Sequence, residues 1–309
     1  MRLFKVYILL NLFKNMDEKE IKDYIKAGEI SIKIKEYAKS IIKPNVPLLE
    51  IAQKIHNKIH ELNAIPAFPV NLSIDDVAAH YHPDLNDKTL ASGLLKVDIG
   101  VCINGLVADT AFSIDLTKDN KHKELIKASE EALKNAISLL NKNPTLNEIG
   151  LIIQETIQKK GFSPIINLSG HSLNKYELHS GITIPNYANN SNKKLNNGAY
   201  AIEPFATTGQ GRIYEGNSSG IFSIKEMKNT RNQIGRKILD YIYEKYQTLP
   251  FSLREIQEKF GLISKIAIKQ MTQEGILNEY PQLIEVSHKP VSQTEHTIIK
   301  FKNKITITT

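Results

Sequence analysis

Apolar positions along the chain alternate between a helical rhythm and a strand-like one. From Asp17 to Ile42 they recur at helical spacing, through Ile21, Tyr24, Ile25, Gly28, Ile32, Ile34, Tyr37, Ala38 and Ile41, and Pro44 closes the segment. A second helix is expected from Leu48 to Asn63, with Pro47 at its start. The rhythm then changes to period two. Leu94–Ile103 and Leu106–Leu116 read as the arms of a β-hairpin around the turn pair Asn104-Gly105. Two further helices follow, Lys121–Asn141 and Leu146–Lys160, parted by Pro144-Thr145 and ended by Gly161. Short strand-like pieces then alternate with glycine-containing turns as far as Ile224. Between Glu226 and Gly275 only helices are expected, at Lys228–Tyr246, Ser252–Phe260 and Ser264–Gln273, and a short β-rich segment follows. Val291–Thr309 returns to strand alternation and is expected to rejoin the main sheet. No internal repeat or low-complexity tract interrupts this layout.

The hairpin carries two aspartates eleven residues apart, Asp98 in Val-Asp-Ile-Gly and Asp109 in Ala-Asp-Thr-Ala-Phe-Ser. A two-residue turn at Asn104-Gly105 sets Asp98 near Ala111 and Asp109 near Gly100. The aspartates are then diagonal neighbours on one face, roughly 7–8 Å apart at Cα. Burying ionised carboxylates in an apolar sheet is costly unless something positive meets them, and a shared cation is the simplest compensation. A purely structural alternative has Asp98 capping a turn before Gly100 and Asp109 at a strand end.

Three more candidates sit in similar apolar, strand-like contexts: His171 in Leu-Ser-Gly-His-Ser, Glu203 in Ala-Ile-Glu-Pro-Phe and Glu295 in Gln-Thr-Glu-His-Thr. Two Asp, two Glu and one His make an oxygen-rich donor set with one nitrogen. Such a set suits paired divalent ions of the Mn, Fe, Co or Zn kind better than calcium or a thiolate-held structural zinc.

Composition narrows the class. The chain has 309 residues, 41% hydrophobic and 24% charged, as a soluble globular protein with one large core or two modest ones would. The net charge of +7 rests on lysine and shows no clustered basic run, so it reads as genome composition rather than a DNA footprint, with an acidic partner surface such as RNA the weaker alternative. The helix, Gly261 turn and helix order resembles a winged-helix module, whose DNA contacts would fall to Lys265 and Lys269. With ten basic against seven acidic residues between Lys225 and Tyr280, a structural lid or wall is the favoured reading. The single cysteine, Cys102, excludes an intrachain disulfide, reads as a small buried hydrophobe and points to the cytoplasm. Met1–Phe13 is apolar but interrupted by Arg2 and Lys5. It is too short to span a bilayer and lacks a small-residue cleavage site, so residues 1–15 are read as an extension and Met16 as the natural start.

Taken together, Val97-Asp-Ile-Gly, Ala108-Asp-Thr-Ala, Ser169-Gly-His-Ser, Ile202-Glu-Pro-Phe-Ala-Thr-Thr-Gly and Gln293-Thr-Glu-His-Thr resemble the type 2 methionine aminopeptidases. Pro66-Ala-Phe-Pro, Ala78-Ala-His-Tyr-His-Pro and Glu177-Leu-His-Ser-Gly extend the resemblance, which runs from Met16 to the C-terminus. It implies an α/β (α+β) pita-bread fold: a curved antiparallel sheet in two halves, backed by helices, with two metal ions in its cleft. The catalytic domain would comprise residues 16–224 and 281–309, and residues 225–280 would form a helical insertion before the last ligand. Asp98 would hold one ion with both carboxylate oxygens, Asp109 and Glu295 would bridge the pair, and His171 and Glu203 would complete the second. A hydroxide shared by the ions would attack the first peptide bond, with Glu203 shuttling the proton. His179 would hydrogen-bond the substrate amide or oxyanion, and His80 would contact the leaving-group side. Phe68 and Tyr280 would wall the methionine pocket. His82 departs from the threonine the family pattern leads one to expect, and is read as a rim residue without a role.

The substrate would be the N-terminal methionine of nascent polypeptides whose second residue is small, handled by a cytoplasmic monomer. A transient ribosome contact would suit such an enzyme, though no residue marks its surface. Proline-specific peptidases of the same fold share the five ligands but usually carry an additional N-terminal domain. Pita-bread relatives that only bind RNA or protein would show lost ligands, and none is lost here.

Overall fold

The computed structural model describes residues 16–302 and 304–309; the extension expected at 1–15 lies outside the described residues. The described helices are α1 (Glu18–Ile41), α2 (Leu48–Glu61), α3 (Lys123–Leu139), α4 (Leu146–Lys159), α5 (Gln233–Tyr246), α6 (Leu253–Phe260) and α7 (Ser264–Gln273). The strands of the first half are β1 (Ile65–Pro66), β2 (Asn71–Ile74), β3 (Val77–Ala79), β4 (Leu94–Ile103) and β5 (Leu106–Asp115). Then come β6 (Ser163–Pro164), β7 (Ser169–Leu173), β8 (Thr183–Pro185), β9 (Gly198–Ile202), β10 (Phe205–Thr207) and β11 (Ile213–Ile224). The last are β12 (Phe251–Ser252), β13 (Leu277–Glu285), β14 (Val291–Gln293), β15 (Glu295–Phe301) and β16 (Lys304–Ile307).

Nine strands form the main sheet, in the order β1-β4-β5-β15-β9-β7-β8, with β2 on β4 and β16 on β15. Two helix pairs back it. α1 and α2 bury Ile34, Ile51 and Ile55 against Leu72, Val97 and Ile99 of the first half. α3 and α4 bury Leu133, Ile149 and Ile153 against Ile184, Ile202 and Ile298 of the second. Within the sheet, β15 joins the halves, pairing with β5 on one side and β9 on the other. The consequence for the site is direct, because any residue at the start of β15 lies between them.

α1 starts where expected. The Asp17 side chain accepts from the Glu20 amide at 2.8 Å, and the Glu20 carboxylate accepts from the Asp17 amide at 3.1 Å, a reciprocal cap. Of the expected stripe, Tyr24, Gly28, Ile34 and Ala38 are buried, but two of its large residues are not. Ala27, Gly28, Ser31 and Ile34 are buried, while Ile25 and Ile32 turn outward. Small residues line the part of the inner face nearest the C-terminal segment, where a side chain at Gly28 would strike the Thr308 backbone. Packing distance, not hydrophobicity alone, selects the buried face.

Elsewhere the differences are local. α5 begins at Gln233 rather than Lys228, because the Asn232 side chain accepts from the amides of Ile234 and Gly235 at 2.9 and 3.0 Å and so caps the helix. Glu295–Phe301 joins the main sheet, but Val291–Gln293 pairs with β10 in a separate three-stranded sheet. α5, α6 and α7 share their own core, with Ile238, Ile242, Ile256, Ile268 and Met271 packed on Phe222, Phe251 and Leu277. This helical unit hangs on β11 and β13, and β13 runs unbroken through position 280 to pair also with β3.

Candidate metal centre

Asn104 and Gly105 both adopt positive φ, 53° and 90°, as a two-residue hairpin turn requires. The register that follows sets Asp98 opposite Ala111 and Asp109 opposite Gly100, so the two carboxyls are diagonal neighbours on one face. Glycine is required at position 100, since any side chain there would collide with the Phe68 ring. β15 then sets Glu295 opposite Ala111. His171 projects from β7, opposite Ala201 of β9. Glu203 follows the last residue of β9, where Pro204 brings no N–H to continue the ladder.

These five side chains, from four strands and one strand end, converge. Ligand atoms of Asp109, His171 and Glu295 all lie within 4.8 Å of one another. His171 Nε2 stands 3.9 Å from Asp109 Oδ2 and 3.6 Å from Glu203 Oε1. On the far side, the Gln293 side-chain amide donates to Asp98 Oδ2 at 3.2 Å and to Glu203 Oε2 at 3.4 Å. Backbone bonds hold the floor in place: the Asp109 amide donates to Thr297 Oγ1 at 2.7 Å, and the Thr110 hydroxyl donates to the Glu295 carbonyl at 3.0 Å.

The electrostatics are those of a site built for a cation. Asp109 and Glu295 are buried, Asp98 and Glu203 half-buried, and His171 is their only ion-pair partner among the described residues. Burial pushes the Asp98 carboxyl up to about 7. Asp109 is raised well above the usual carboxylate range by burial and by Asp98. Glu203 is raised by burial and by both aspartates, and Glu295 by burial, Asp109 and Glu203. His171 is pushed down to about 3, by burial and then by His179, so it presents a neutral ring with a lone pair to offer. Asp98 Oδ1, Asp109 Oδ1 and Glu295 Oε1 are buried without any hydrogen-bond partner. Buried acids left orphaned in this way are anomalous as structure and appropriate as ligands. The donor set of four carboxyls and one imidazole therefore fits divalent ions.

All nine residues singled out from the sequence line one cavity of about 330 Å³: Phe68, His80, Asp98, Asp109, His171, His179, Glu203, Tyr280 and Glu295. The His179 ring sits edge-on to His171 with centroids 4.3 Å apart; it keeps a solvent-facing edge, yet burial of the rest lowers its pKa. His80 has φ 64°, an uncommon conformation for a side-chain-bearing residue, and its Nδ1 lies 3.0 Å from the Pro281 carbonyl. A carbonyl only accepts, so Nδ1 carries the proton, and burial, which lowers its pKa to about 4, leaves Nε2 an acceptor. Tyr280 meets His80 edge to face at 5.8 Å, and its hydroxyl lies 3.1 Å from Ser223 Oγ.

Two features were missed from the sequence. Gln293 lies inside the Gln-Thr-Glu-His-Thr motif, but only the fold shows its amide bridging Asp98 and Glu203. His82 is no rim residue: it is 6% exposed, because Val70, fourteen residues from His56, brings both histidines under one strand. Apolar walls from Leu178, Ile182, Phe205, Ile221 and Leu283 also carry no local signal.

The profile of metallopeptidase family M24 matches residues 22–242. The methionine aminopeptidase of Methanocaldococcus jannaschii is 41% identical over 296 residues, covering 94% of this chain and 99% of its own. That of Pyrococcus abyssi is 43% identical over 296 residues, with the same coverage, 94% and 99%. Among solved structures, a thermophilic Arx1 superposes with a TM-score of 0.81 at 17% identity, over 95% of this chain and 91% of that one, a likeness of fold alone. The chain belongs to metallopeptidase family M24. Its two-halved sheet backed by helix pairs is the pita-bread arrangement expected from the sequence.

Proposed function

We propose that this protein is a metalloaminopeptidase that removes the N-terminal methionine from polypeptides whose second residue is small. The observation that supports the hydrolase reading best is the convergence of four uncompensated acids and a neutral histidine at the floor of one cavity. The methionine reading leans on the near full-length likeness to methionine aminopeptidases.

In this reading Asp98, Asp109, His171, Glu203 and Glu295 would hold two divalent ions of the Mn, Fe, Co or Zn kind, with Asp98 serving one, His171 and Glu203 the other, and Asp109 and Glu295 both. Once bound, the ions would supply a water of lowered pKa and the charge that polarises the scissile carbonyl. The protein's own residues do the rest. Phe68 and Tyr280 wall a slot that excludes water from the methionine side chain. His80 Nε2 is an acceptor for a substrate N–H, and His179 is within the cavity to donate to the carbonyl oxygen as charge develops there. Glu203, whose carboxyl is driven upward by its setting, takes up a proton on the oxygen not held by Gln293 and returns it to the leaving amine. Residues 225–280 act as an insertion that walls the cavity. The enzyme works as a cytoplasmic monomer on nascent chains, in transient contact with the ribosome; no described helix is long and apolar enough to cross a membrane.

The test is cleavage of a methionyl tripeptide against an X-Pro dipeptide by protein supplied with each candidate metal. Faster cleavage of the methionyl substrate is expected. Faster X-Pro cleavage would transfer the chain to the proline-specific peptidases.

A further inference from the structure

The edge of the main sheet is irregular just where Phe68 enters the cavity. β1 pairs with β4 up to Pro66 opposite Val101, and β2 resumes with Asn71 opposite Asp98. Four residues, Ala67 to Val70, thus run beside only two, Ile99 and Gly100, which makes a bulge on the edge strand. Ala67 still donates to the Gly100 carbonyl at 2.9 Å, and Pro69 has no N–H to place. Val70 is fully buried, and neither its N–H nor its C=O finds a strand partner. Such groups must be satisfied by something else.

Two histidines satisfy them. The Val70 amide donates to His56 Nε2 at 3.1 Å, and His82 Nδ1 donates to the Val70 carbonyl at 2.8 Å. The rings stack with centroids 5.7 Å apart and planes at 22°. Because His56 Nε2 accepts, its Nδ1 bears the hydrogen, and it points 3.2 Å from Glu255 Oε1 of α6. The adjacent Arg254 is buried and donates through Nη1 to the Pro83 carbonyl, one residue past His82, at 2.9 Å. His82 Nε2 makes no bond, so the ring's one polar duty is the Val70 carbonyl. The cluster is not a second metal site: among the described residues, the group whose ligand atoms converge is Asp109, His171 and Glu295.

We propose that His56 and His82 are positioning residues that clamp the Val70 peptide, with Arg254 and Glu255 of the helical unit holding the clamp closed, and so set the Phe68 wall and Asn71 in the cavity. Both cavity residues lie within two positions of the clamped peptide, and the Asn71 side chain ties back to the Pro69 carbonyl at 3.2 Å. Through the clamp the helical unit thereby acts on substrate selectivity from behind the Phe68 wall. This inference rests on the aminopeptidase reading, in which Phe68 faces the substrate's first side chain.

The test measures KM and kcat for a methionyl tripeptide and its leucyl counterpart, together with metal content, in wild type, His82→Leu, His82→Asn and Arg254→Met. Wild-type cleavage of the methionyl peptide decides the aminopeptidase reading by itself. His82→Leu is expected to raise KM roughly three- to tenfold, the reach of one hydrogen bond, and to narrow the preference for methionine. Its kcat and metal content should change less than about twofold, and His82→Asn, whose amide replaces the Nδ1 donor, should restore KM. Arg254→Met leaves both rings in place and should raise KM in the same direction, which keeps the test open if His82→Leu does not fold. Unchanged KM in the variants that fold, or a loss confined to stability or kcat, overturns the clamp. Hydrogen exchange at the Val70 amide should quicken in His56→Leu, which removes that amide's acceptor, and protection equal to wild type there also overturns the clamp.

Discussion

Two buried clusters of acids and imidazoles lie in this molecule, and they are balanced in opposite ways. At the clamp, Glu255 meets His56 Nδ1 at 3.2 Å, Lys245 Nζ at 3.6 Å and the Tyr246 hydroxyl. Burial alone would raise its pKa, but these partners outweigh burial and hold the carboxyl well below the usual range. At the centre, Asp98, Asp109, Glu203 and Glu295 have one neutral histidine between them, and all four are raised. A buried charge that brings its own counter-charges is a fastening. One that lacks them stores a demand, which protons or a bound cation must meet.

The comparison breaks most visibly in activity. Glu203→Gln keeps shape and the Gln293 contact but cannot move a proton, and kcat on a methionyl peptide should fall by about 10²–10⁴-fold with the circular dichroism spectrum unchanged. Retained activity would contradict the assigned role. Metal content should then separate the aspartates. Asp109→Asn, in the middle of the cluster, should lose both ions in elemental analysis, while Asp98→Asn should chiefly lose one; equal loss would refute that division.

Removing metal should expose the stored demand as a pH dependence. The Asp98 carboxyl is raised to about 7, above its unfolded value, so the neutral form is the one that suits the folded protein. Stability is then fully present below the unfolded pKa of about 4 and lost as pH rises through the folded value. Chelated protein should melt at a lower temperature at about pH 8 than at about pH 5, and added metal should reverse that order. Identical pH profiles with and without metal would remove the electrostatic case for the site. A smaller effect is expected of Gln293→Met, which frees Asp98 and Glu203 to rotate. Metal affinity, read by competition with a chelator, should weaken about 10–100-fold. Least is expected of Glu255→Gln, which should cost about 1–3 kcal/mol in urea unfolding and leave metal content untouched. Loss of metal in that variant would show that the two clusters are not independent.

What could be read from the sequence was what is encoded locally. Asn104-Gly105 defines a turn, the turn defines the register, and the register places Asp98 and Asp109 diagonally, as the ladder bears out. The expected helix starts agree with the structure beside Asp17 and Thr145, whose side chains cap α1 and α4, and miss at Asn232, whose cap sets the start of α5. His82 was misjudged because its burial depends on Val70 and Arg254, the latter 172 positions away, and no local rhythm records such contacts. Gln293 was overlooked for a similar reason: a neutral amide has no costly charge to flag it, and its two acceptors come from distant strands. The outward turn of Ile25 and Ile32 was illegible because the close approach of Gly28 to Thr308 is a property of the packed pair.

The place of β15 in the sheet bears on how the enzyme comes into being. Asp98 and Asp109 belong to one half-sheet, His171 and Glu203 to the other, and the strand that joins the halves begins with Glu295. Every other residue of the proposed set is made earlier in synthesis, and the strand that joins the halves brings Glu295 last. On the proposed reading the growing chain would lack a complete metal set until that strand is made and paired.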